Sequence, residues 1–415
     1  MAIGEALGVN LAVNRVDAWL LGMETQRVNV ESWSRNLQFG WEWDENSFAT
    51  NMLAHPIHGS TYFNAGRSNC LTFLESVPLA FLGSWTWEYF GEVNRPSLND
   101  FFMTTLGGIA LGEMTHRVAM TIRDEQATGG ERVMREVLAT LINPVTGINR
   151  LVRGQWKGVR SNPSEHDPSA LDIIFQAGAR RVFTDSASGC KQVCGTLVFD
   201  FEYGDPLDQT YTKPFDVFNV HVQVSPQGGG VNALEATGRL YQTELNRPES
   251  RHRYALAVTQ RYAYNTYTPL VSYGGQSVEV GVVARRSLGR NWLIHGRLAG
   301  DLVVMGAVSD ERDAVLDRDY AFGPGAGLGF DLSLWRDRTR YLSLTNRVEY
   351  LHTVSGVSNN HVVSFSRLEA KIPVDGHVGV GLAADFATRT TQRTGIDDET
   401  HDFADVRLFL AWNLQ

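Results

Sequence analysis

The side chains that could do chemistry are concentrated between His55 and Arg117, within the first third of the 415 residues. A hydroxyl, an imidazole and a carboxylate are the parts of an acid–base or nucleophilic site, and His58, Glu88 and Ser60 or Ser76 supply them. Such a site would act on a lipid or on an envelope glycan. The sequence contains no G-x-S-x-G turn, so this hypothesis depends on residue types alone. The candidate catalytic residues are His58, Ser60, Arg67, Glu75, Glu88 and His116.

Two other hypotheses use the same stretch. In the structural one, Arg67 pairs with a glutamate such as Glu75 or Glu88, because buried charges need partners, and the histidines satisfy buried backbone groups. In the other, the side chains bind a metal ion, but the H-x-x-H pair contains Pro56 and is a weak signal. The metal hypothesis uses His55, His58, Glu88, Glu92 and His116. We expect no cofactor and no metal.

Helices must position these side chains, because residues 52–124 have helical periodicity. The run from Leu71 to Phe90 is apolar almost all round, but it contains Pro78 and two glutamates. It is too short and too interrupted to span a bilayer, and it is expected to be a helix buried inside protein.

Local signals mark the helices on either side. Residues 1–24 are predicted to form an amphipathic helix. Ser97 is a predicted N-cap, with Asp100 three residues later able to bond back to it. Gly108 and Gly112 are four residues apart, a spacing that lets another backbone approach closely.

Three further segments complete the first part of the chain. Apolar and polar residues alternate from Leu37 to Trp43, which predicts a short strand. Residues 131–153 are predicted to form an amphipathic helix that breaks near Asn143 and Pro144. Residues 154–170 are rich in Gly, Ser, Asn and Pro and are typical of a linker.

Segments rich in polar residues and glycine follow one another in a fixed order through this region. They are His55–Asn64, Arg67–Asn69, Glu75–Ser76, Gly83–Glu92, Pro96–Asp100, Gly107–Glu113 and His116–Arg117. In these segments, residues 46–120 resemble an uncharacterised family of Gram-negative bacterial outer-membrane proteins, domain of unknown function 3943. The resemblance implies an outer-membrane location. It supplies no activity and no catalytic residues.

The second half of the chain is a series of alternating segments. Phe218, Val220, Val222 and Val224 are each separated by a polar residue, which predicts a strand with one apolar and one polar face. The pattern recurs without an intervening helix, so the sequence predicts an antiparallel up-and-down transmembrane β-barrel of about 12 strands. The predicted strands are 171–183, 195–204, 216–225, 231–244, 251–265, 276–286, 291–305, 321–335, 340–352, 360–373, 376–388 and 403–414.

The connections and the two faces agree with a barrel. Long connections at 266–275, 306–320, 353–359 and 389–402 alternate with short ones, as in barrels with long outer loops and short periplasmic turns. In the last strand, Leu408 and Leu410 share one face, and Asp405 and Arg407 share the other. The polar faces carry both signs of charge, which favours a lumen crossed by ion pairs over an ion-selective pore.

Composition narrows the function classes. The chain has 37 Lys and Arg against 46 Asp and Glu, a net charge of −9, which argues against nucleic-acid binding. Its mean hydropathy of −0.20 fits barrel strands, whose two faces average out. No signal peptide is visible at Met1. Cys190 and Cys194 either close a small disulfide loop or remain free thiols, with Cys70 far upstream.

We therefore expect two domains, a helical N-terminal domain at 1–165 and a barrel at 166–415. The helices would plug the barrel or cap its periplasmic end, in a transport, gating or envelope-structural role at the bacterial outer membrane. Membrane lipids are the expected partners, with a small solute or lipid as substrate. Two alternatives remain, a lipid-active enzyme that uses His58 and Glu88, and a barrel in solution.

Overall fold

A computed structural model describes residues 1–183, 193–207, 211–225, 230–247, 250–289, 291–313, 317–337, 339–358, 360–395 and 397–414. The chain divides into two compact units, Met1–Pro168 and Ser169–Gln415. The first unit is helical, and the second is a barrel.

Eight α-helices form the helical unit. They are α1 (Ala2–Arg15), α2 (Val30–Phe39), α3 (His55–Arg67), α4 (Phe73–Phe90), α5 (Leu98–Phe102), α6 (Gly108–Ile122), α7 (Gly129–Ile142) and α8 (Pro144–Val152). Single π-helical turns extend α1, precede α3 and connect α5 to α6. Along the described helices, none is long and apolar enough to cross a membrane.

Side-chain caps explain where these helices begin. The Thr72 hydroxyl accepts a hydrogen bond from the Glu75 N–H, and the Glu75 carboxylate accepts one from the Thr72 N–H, so the two residues form a capping box at the start of α4. Ser97 caps α5 through the Asp100 N–H, as the sequence predicts. Asn143 accepts from the Thr146 N–H and separates α7 from α8 at the predicted break.

The strand predicted from Leu37 to Trp43 is wrong. Residues up to Phe39 belong to α2, and Glu42 forms only an isolated bridge with Ser97. An Asn29 capping box starts the helix, and Gly40, with φ of +70°, ends it. A ten-residue helix with a cap at each end is more stable here than an isolated strand of a few residues. The caps satisfy the backbone groups at the helix ends.

Small residues bring α3 and α6 into backbone contact, as the spacing of Gly108 and Gly112 predicts. A Cβ atom at Gly108 would lie 2.4 Å from the carbonyl carbon of Gly59, and one at Gly59 would lie 1.8 Å from the carbonyl oxygen of Thr104. A Cβ at Gly112 would lie 2.8 Å from Cβ of Phe63. The backbone approach therefore requires glycine on both helices.

The second unit is a closed antiparallel barrel of twelve strands in the order β1-β12-β11-β10-β9-β8-β7-β6-β5-β4-β3-β2. Strand β1 pairs with β12 to close it, with Ala177 opposite Leu410. The predicted fold class is confirmed. The strands are β1 (Leu171–Val182), β2 (Val193–Tyr203), β3 (Phe218–Ser225), β4 (Gly230–Glu244), β5 (His252–Thr268), β6 (Val271–Gly289), β7 (Trp292–Asp313), β8 (Arg318–Arg336), β9 (Thr339–His352), β10 (Asn360–Pro373), β11 (Val378–Gln392) and β12 (Glu399–Asn413).

The long connections predicted at 266–275 and 306–320 are largely strand. Strands β5 and β6 continue to a turn at residues 269–270, and β7 and β8 likewise extend beyond their predicted ends. A membrane strand needs only about 9–11 residues, so these hairpins are longer than a bilayer requires. Backbone pairing continues wherever two antiparallel strands remain adjacent, and the side-chain pattern alone does not mark where the membrane stops.

The two faces of the strands sort as predicted. On β12, Leu408 is 62% exposed, whereas Asp405 and Arg407 are 0% exposed. Leu298 and Leu302 on β7 face outward, and Asp301 is buried. The apolar side of the barrel is therefore its outer surface, and the charged side lines its interior.

Two of the three cysteines are within the described residues. Cys70 is a free, exposed thiol, and Cys194 is disulfide-bonded. Cys190 lies outside the described residues, so the predicted pairing of Cys190 with Cys194 stays a prediction.

Candidate functional site

His58 lies on α3 against two aromatic side chains. Its Nε2 atom is 2.9 Å from the Tyr62 hydroxyl one turn later, and its ring meets the Trp87 ring edge-on at 4.7 Å. The Tyr62 hydroxyl donates to Asn10, so the hydrogen of the His58 contact comes from Nε2. Burial lowers the pKa of His58 to about 3, with a smaller contribution from His55. The imidazole is therefore neutral near pH 7, with Nε2 occupied as a donor.

Glu88 is buried on α4 and holds the start of α5. Its Oε2 atom accepts a hydrogen bond from the Ser97 N–H at 2.8 Å. Its Oε1 atom has no hydrogen-bond partner in the described part of the chain. Burial raises the pKa of Glu88 well above its ordinary value, and the charges of Glu92 and Asp44 add to the rise. Both effects favour the protonated form of the Glu88 carboxyl.

Glu88 belongs to a group of four acidic side chains that we call the acidic cluster, namely Asp44, Glu88, Glu92 and Asp100. Burial, followed by the charges of the other three members, raises the pKa of Asp100 well above its ordinary value. Burial raises the pKa of Glu92 to about 7, although Trp87 donates to this carboxylate at 2.8 Å. Asn99 links Asp44 to Asp100 by hydrogen bonds of 3.0 and 2.7 Å.

His55 joins the acidic cluster from α3. Its Nε2 atom is 3.4 Å from Asp100 Oδ2, and its Nδ1 atom is 3.1 Å from the Thr104 hydroxyl. Burial lowers the pKa of His55 to about 4, against the opposing charge of Asp44. Burial thus favours the neutral form of the His55 imidazole.

Arg67 and His116 lie in a second cluster, centred on Glu113. Arg67 Nε and Arg117 Nε are each 2.8 Å from the Glu113 carboxylate. The structure therefore pairs Arg67 with Glu113, and not with Glu75 or Glu88 as expected. Burial, with the charges of Arg67, Arg117 and Arg123, lowers the pKa of His116 well below its ordinary value.

The remaining predicted site residues have local roles. Ser60 donates to the carbonyl of Ile57 at 2.6 Å, and Ser76 donates to that of Thr72 at 2.9 Å. Glu75 is exposed and caps α4. The structure thus brings His58 near Tyr62 and Trp87, and it places Glu88 in the acidic cluster. It places Glu75 and His116 elsewhere. A catalytic role for the six candidates stays a prediction.

The metal hypothesis requires several ligands around one point. Among the residues that the structure describes, no group of three or more His, Cys, Asp or Glu side chains is arranged to hold a metal ion. His116 is in the Glu113 cluster, apart from His55 and the acidic cluster.

The barrel interior is crossed by polar contacts between strands that are not neighbours. Arg340 on β9 donates to Glu202 on β2 at 2.5 Å. Arg367 on β10 is 2.7 Å from His221 on β3. Arg261 on β5 pairs with Glu349 on β9, which leaves the arginine almost fully buried. The predicted cross-linked lumen is thus present in the structure.

A cavity of about 300 Å³ lies in the half of the barrel where β1 begins and β12 ends. Its lining mixes cationic, acidic and hydroxyl side chains, including Asp200, His221, Glu235, Arg297, Arg340 and Arg367. The sequence predicts polar strand faces that carry both signs of charge, and these residues belong to such faces. None of them is among the six candidate catalytic residues, and their signal is alternation with apolar residues in the predicted strands.

An aromatic and aliphatic layer fills the other half of the lumen. The Tyr267 ring on β5 is 4.8 Å from that of Phe403 on β12 and 5.8 Å from that of Phe365 on β10. Tyr273 on β6 lies 5.6 Å from Phe365. We call Tyr267, Tyr273, Phe365 and Phe403 the aromatic layer. All four are buried and contact further inward-facing apolar side chains, including Val182, Val308 and Leu351.

Comparison with known families identifies one segment within the helical unit. Residues 40–145 match the family described as Domain of unknown function (DUF3943). This confirms the resemblance seen in the sequence. No curated protein matches the chain.

The barrel is similar to those of solved outer-membrane proteins. Outer-membrane phospholipase A from Escherichia coli is 9% identical over 59% of this chain and 93% of its own, with a TM-score of 0.30. The NanC porin is 8% identical over 59% and 100%, with a TM-score of 0.30. The channel DcaP of Acinetobacter baumannii is 8% identical over 59% and 96%, with a TM-score of 0.27. These similarities concern the barrel fold alone.

Proposed function

We propose that this chain is a gated barrel of the bacterial outer membrane, which holds a small polar solute in its lumen and passes it only when the aromatic layer opens. The observation that carries the proposal is the contact of Tyr267 with Phe403 and Phe365 across the lumen. Aromatic side chains from opposite walls leave no aqueous path where they meet, and hydrophobic constrictions of this kind gate by excluding water.

The outer surface supports a membrane location. Leucines of several strands project outward, and Leu298, Leu328 and Leu408 are each more than 60% exposed. In water such a surface would be unfavourable, because each exposed leucine side chain lacks the stabilisation of about 1.5–3 kcal/mol that burial provides. Acyl chains remove that cost, so membrane lipids are the proposed partners of this surface.

The cavity supports a solute that carries both signs of charge. Arg297, Arg340 and Arg367 face Asp200, Glu202 and Glu235 across about 300 Å³. A small zwitterionic or polar solute can take the place of one member of an ion pair in this lining. No buried charge is then left unpaired. In the orientation usual for outer-membrane barrels, the chain termini lie on the periplasmic side, so the solute would enter the cavity from there.

The test is ion conductance of the purified chain in planar lipid bilayers. Wild-type protein is expected to conduct little. The triple variant Tyr267→Ala, Phe365→Ala, Phe403→Ala is expected to raise single-channel conductance by about tenfold or more, because it removes the hydrophobic constriction. Phe386→Ala is the matched control, since Phe386 is an outward-facing aromatic residue on β11.

Folding is checked by the heat-dependent mobility of the barrel on gels, and the single variant Phe403→Ala replaces the triple variant if the latter does not fold. A wild-type barrel that conducts freely, with no change on opening the aromatic layer, would disprove the gate. Equal effects of Phe386→Ala and the triple variant would show a general loss of structure.

A further inference from the structure

Helix α7 turns its polar side chains inward and its apolar side chains outward. On α7, Arg132 and Glu136 are 5% and 1% exposed, whereas Leu141 is 72% exposed. Met134 and Val137 on the same helix are also exposed. A helix of a water-soluble protein has the opposite arrangement, with its apolar stripe facing the core.

The same inversion occurs on the other short helices. On α1, Asn10 and Asn14 are buried, while Leu7 and Leu11 are exposed. Helices α2 and α8 bury only polar residues or glycine and expose Val30, Leu37, Ile148, Leu151 and Val152. Helix α4 exposes Leu74 and Phe81, although it also buries apolar side chains. Scattered exposed hydrophobic residues are ordinary, but a shell of them over several helices is not.

Several buried polar side chains of the helical unit are paired with one another, which lowers the cost of burying them. Arg150 donates to Glu136 at 2.6 Å, and Arg132 donates to Glu125 at 2.7 Å. Asn14 donates to the carbonyls of Gln26 and Gly91 at 2.7 and 2.8 Å. Charged and amide groups that pair with each other in this way are stable away from water.

We infer that the outer surface of the helical unit is covered by the acyl chains of the membrane, so that the unit is inserted in lipid. This inference rests on the proposed membrane location of the barrel, which supplies an apolar phase to the same chain. The outward face of α7 beyond its first turn is mostly apolar, formed by Val133, Met134, Val137, Leu138 and Leu141. The partly exposed Arg135 on this helix is already paired with Glu131. A plug in a charged lumen or a cap in water would instead present polar outer faces.

The lengths of the helices are consistent with partial insertion into one side of the membrane. None of the described helices can cross a membrane, and the longest, α4 with 18 residues, would extend only about 27 Å at 1.5 Å per residue. Trp19, Trp33 and Trp85 are exposed, and tryptophan is enriched where acyl chains meet head groups. Amphipathic helices bound in this way lie in one leaflet, with their apolar faces in the hydrocarbon.

The experiment places single nitroxide labels on the full chain in lipid vesicles, with Cys70→Ser removing the free thiol. Leu141→Cys reports the helical unit, and Glu131→Cys on the same helix is its polar control. Leu298→Cys reports the outer face of the barrel, and Asp398→Cys reports a turn in water. Collision rates with oxygen, which partitions into lipid, and with a water-soluble nickel complex are compared at each site.

The inference predicts that Leu141→Cys behaves like Leu298→Cys, with oxygen collisions several-fold more frequent than nickel collisions. Leu141 exposed to nickel, with Leu298 in lipid, would overturn the inference and leave the barrel in the membrane. Leu298 exposed to nickel would instead disprove the membrane location itself. A label at position 141 that is immobile and shielded from both reagents would assign the surface to protein contact, and would also overturn the inference.

Discussion

The rings of Tyr267 on β5 and Phe403 on β12 meet across the lumen with centroids 4.8 Å apart, although five strand steps separate β5 from β12 around the barrel. Their contact joins opposite walls. It therefore depends on the closure of the whole barrel.

The ion pair between Arg261 and Glu349 also joins opposite walls. Glu349→Gln is expected to destabilise the barrel by about 3 kcal/mol, because it removes the nearest counter-charge of a buried arginine, whose other ion-pair partner Asp301 is 3.9 Å away. Urea unfolding of the barrel in lipid vesicles measures the change. Asp337→Asn is the control, since Asp337 and Arg336 form an exposed pair worth about 0–1 kcal/mol. Equal losses in the two variants would contradict a special role for the lumen pair.

The charge of the cavity wall should set ion preference once the aromatic layer is open. In the triple alanine background, Arg340→Glu is expected to raise the cation-to-anion permeability ratio several-fold, because it replaces a cation of the cavity lining with an anion. Reversal potentials in a salt gradient measure the ratio. Arg336→Glu changes an exposed arginine near the turn after β8 and should leave the ratio almost unchanged. An unchanged ratio with Arg340→Glu would place the ion path outside this cavity.

The close approach of α3 and α6 predicts a large effect at Gly108. Gly108→Ala is expected to cost about 2 kcal/mol or more, because the new Cβ would lie 2.4 Å from the Gly59 backbone. Gly8→Ala in the middle of α1 meets no atom within 4 Å and should stabilise the helix by about 0.5–1 kcal/mol. The helical signal at 222 nm during thermal unfolding in detergent measures both. A neutral Gly108→Ala would contradict the packing.

The stability of the helical unit should depend on the protonation of Glu92. Its folded-state pKa of about 7 lies above the ordinary 4.5, so its contribution is full below pH 4.5 and is lost as the pH rises through 7. Glu92→Gln keeps an oxygen for the Trp87 N–H but cannot ionise. The variant should therefore lose less stability than wild type between pH 4.5 and 7, by several degrees in its thermal midpoint.

Buried histidines such as His55 and His58 have lowered pKa values, so they change the stability with pH in the opposite direction. Wild type and Glu92→Gln both contain them, so their contribution cancels when the two pH profiles are subtracted. Glu75→Gln is a control of opposite sign. Hydrogen bonds from Thr72 lower the pKa of Glu75, so its contribution is present above its ordinary pKa and is lost in acid. Identical pH profiles for wild type and Glu92→Gln would show that folding does not raise the pKa of this carboxyl.

The cysteines give a chemical test of the predicted loop. Without reductant, alkylation of the unfolded chain should modify one thiol, that of Cys70. After reduction it should modify all three cysteines. Mass spectrometry of the intact chain counts the modifications, and peptide mapping tests whether Cys190 is the partner of Cys194. Modification of Cys190 without reductant would disprove the pairing.

The sequence by itself determined the barrel, because each strand is encoded locally. Alternation such as that of Phe218, Val220 and Val222 specifies a strand and its faces with no knowledge of distant residues. Helix starts at Ser97 and Asn143 were likewise predictable, since a cap and its N–H partner are three residues apart. The strand predicted from local alternation at Leu37–Trp43 is wrong, because residues up to Phe39 belong to a capped helix.

Only the tertiary structure decided which faces meet. Arg67 had several glutamates within reach in sequence, and the crossing of α3 and α6 selected Glu113. The aromatic layer exists because barrel closure brings β5 opposite β12. The periodicity of α7 shows an apolar and a polar face but cannot say which one is buried. That choice depends on the surrounding phase, because an apolar face turns inward in water and outward in lipid.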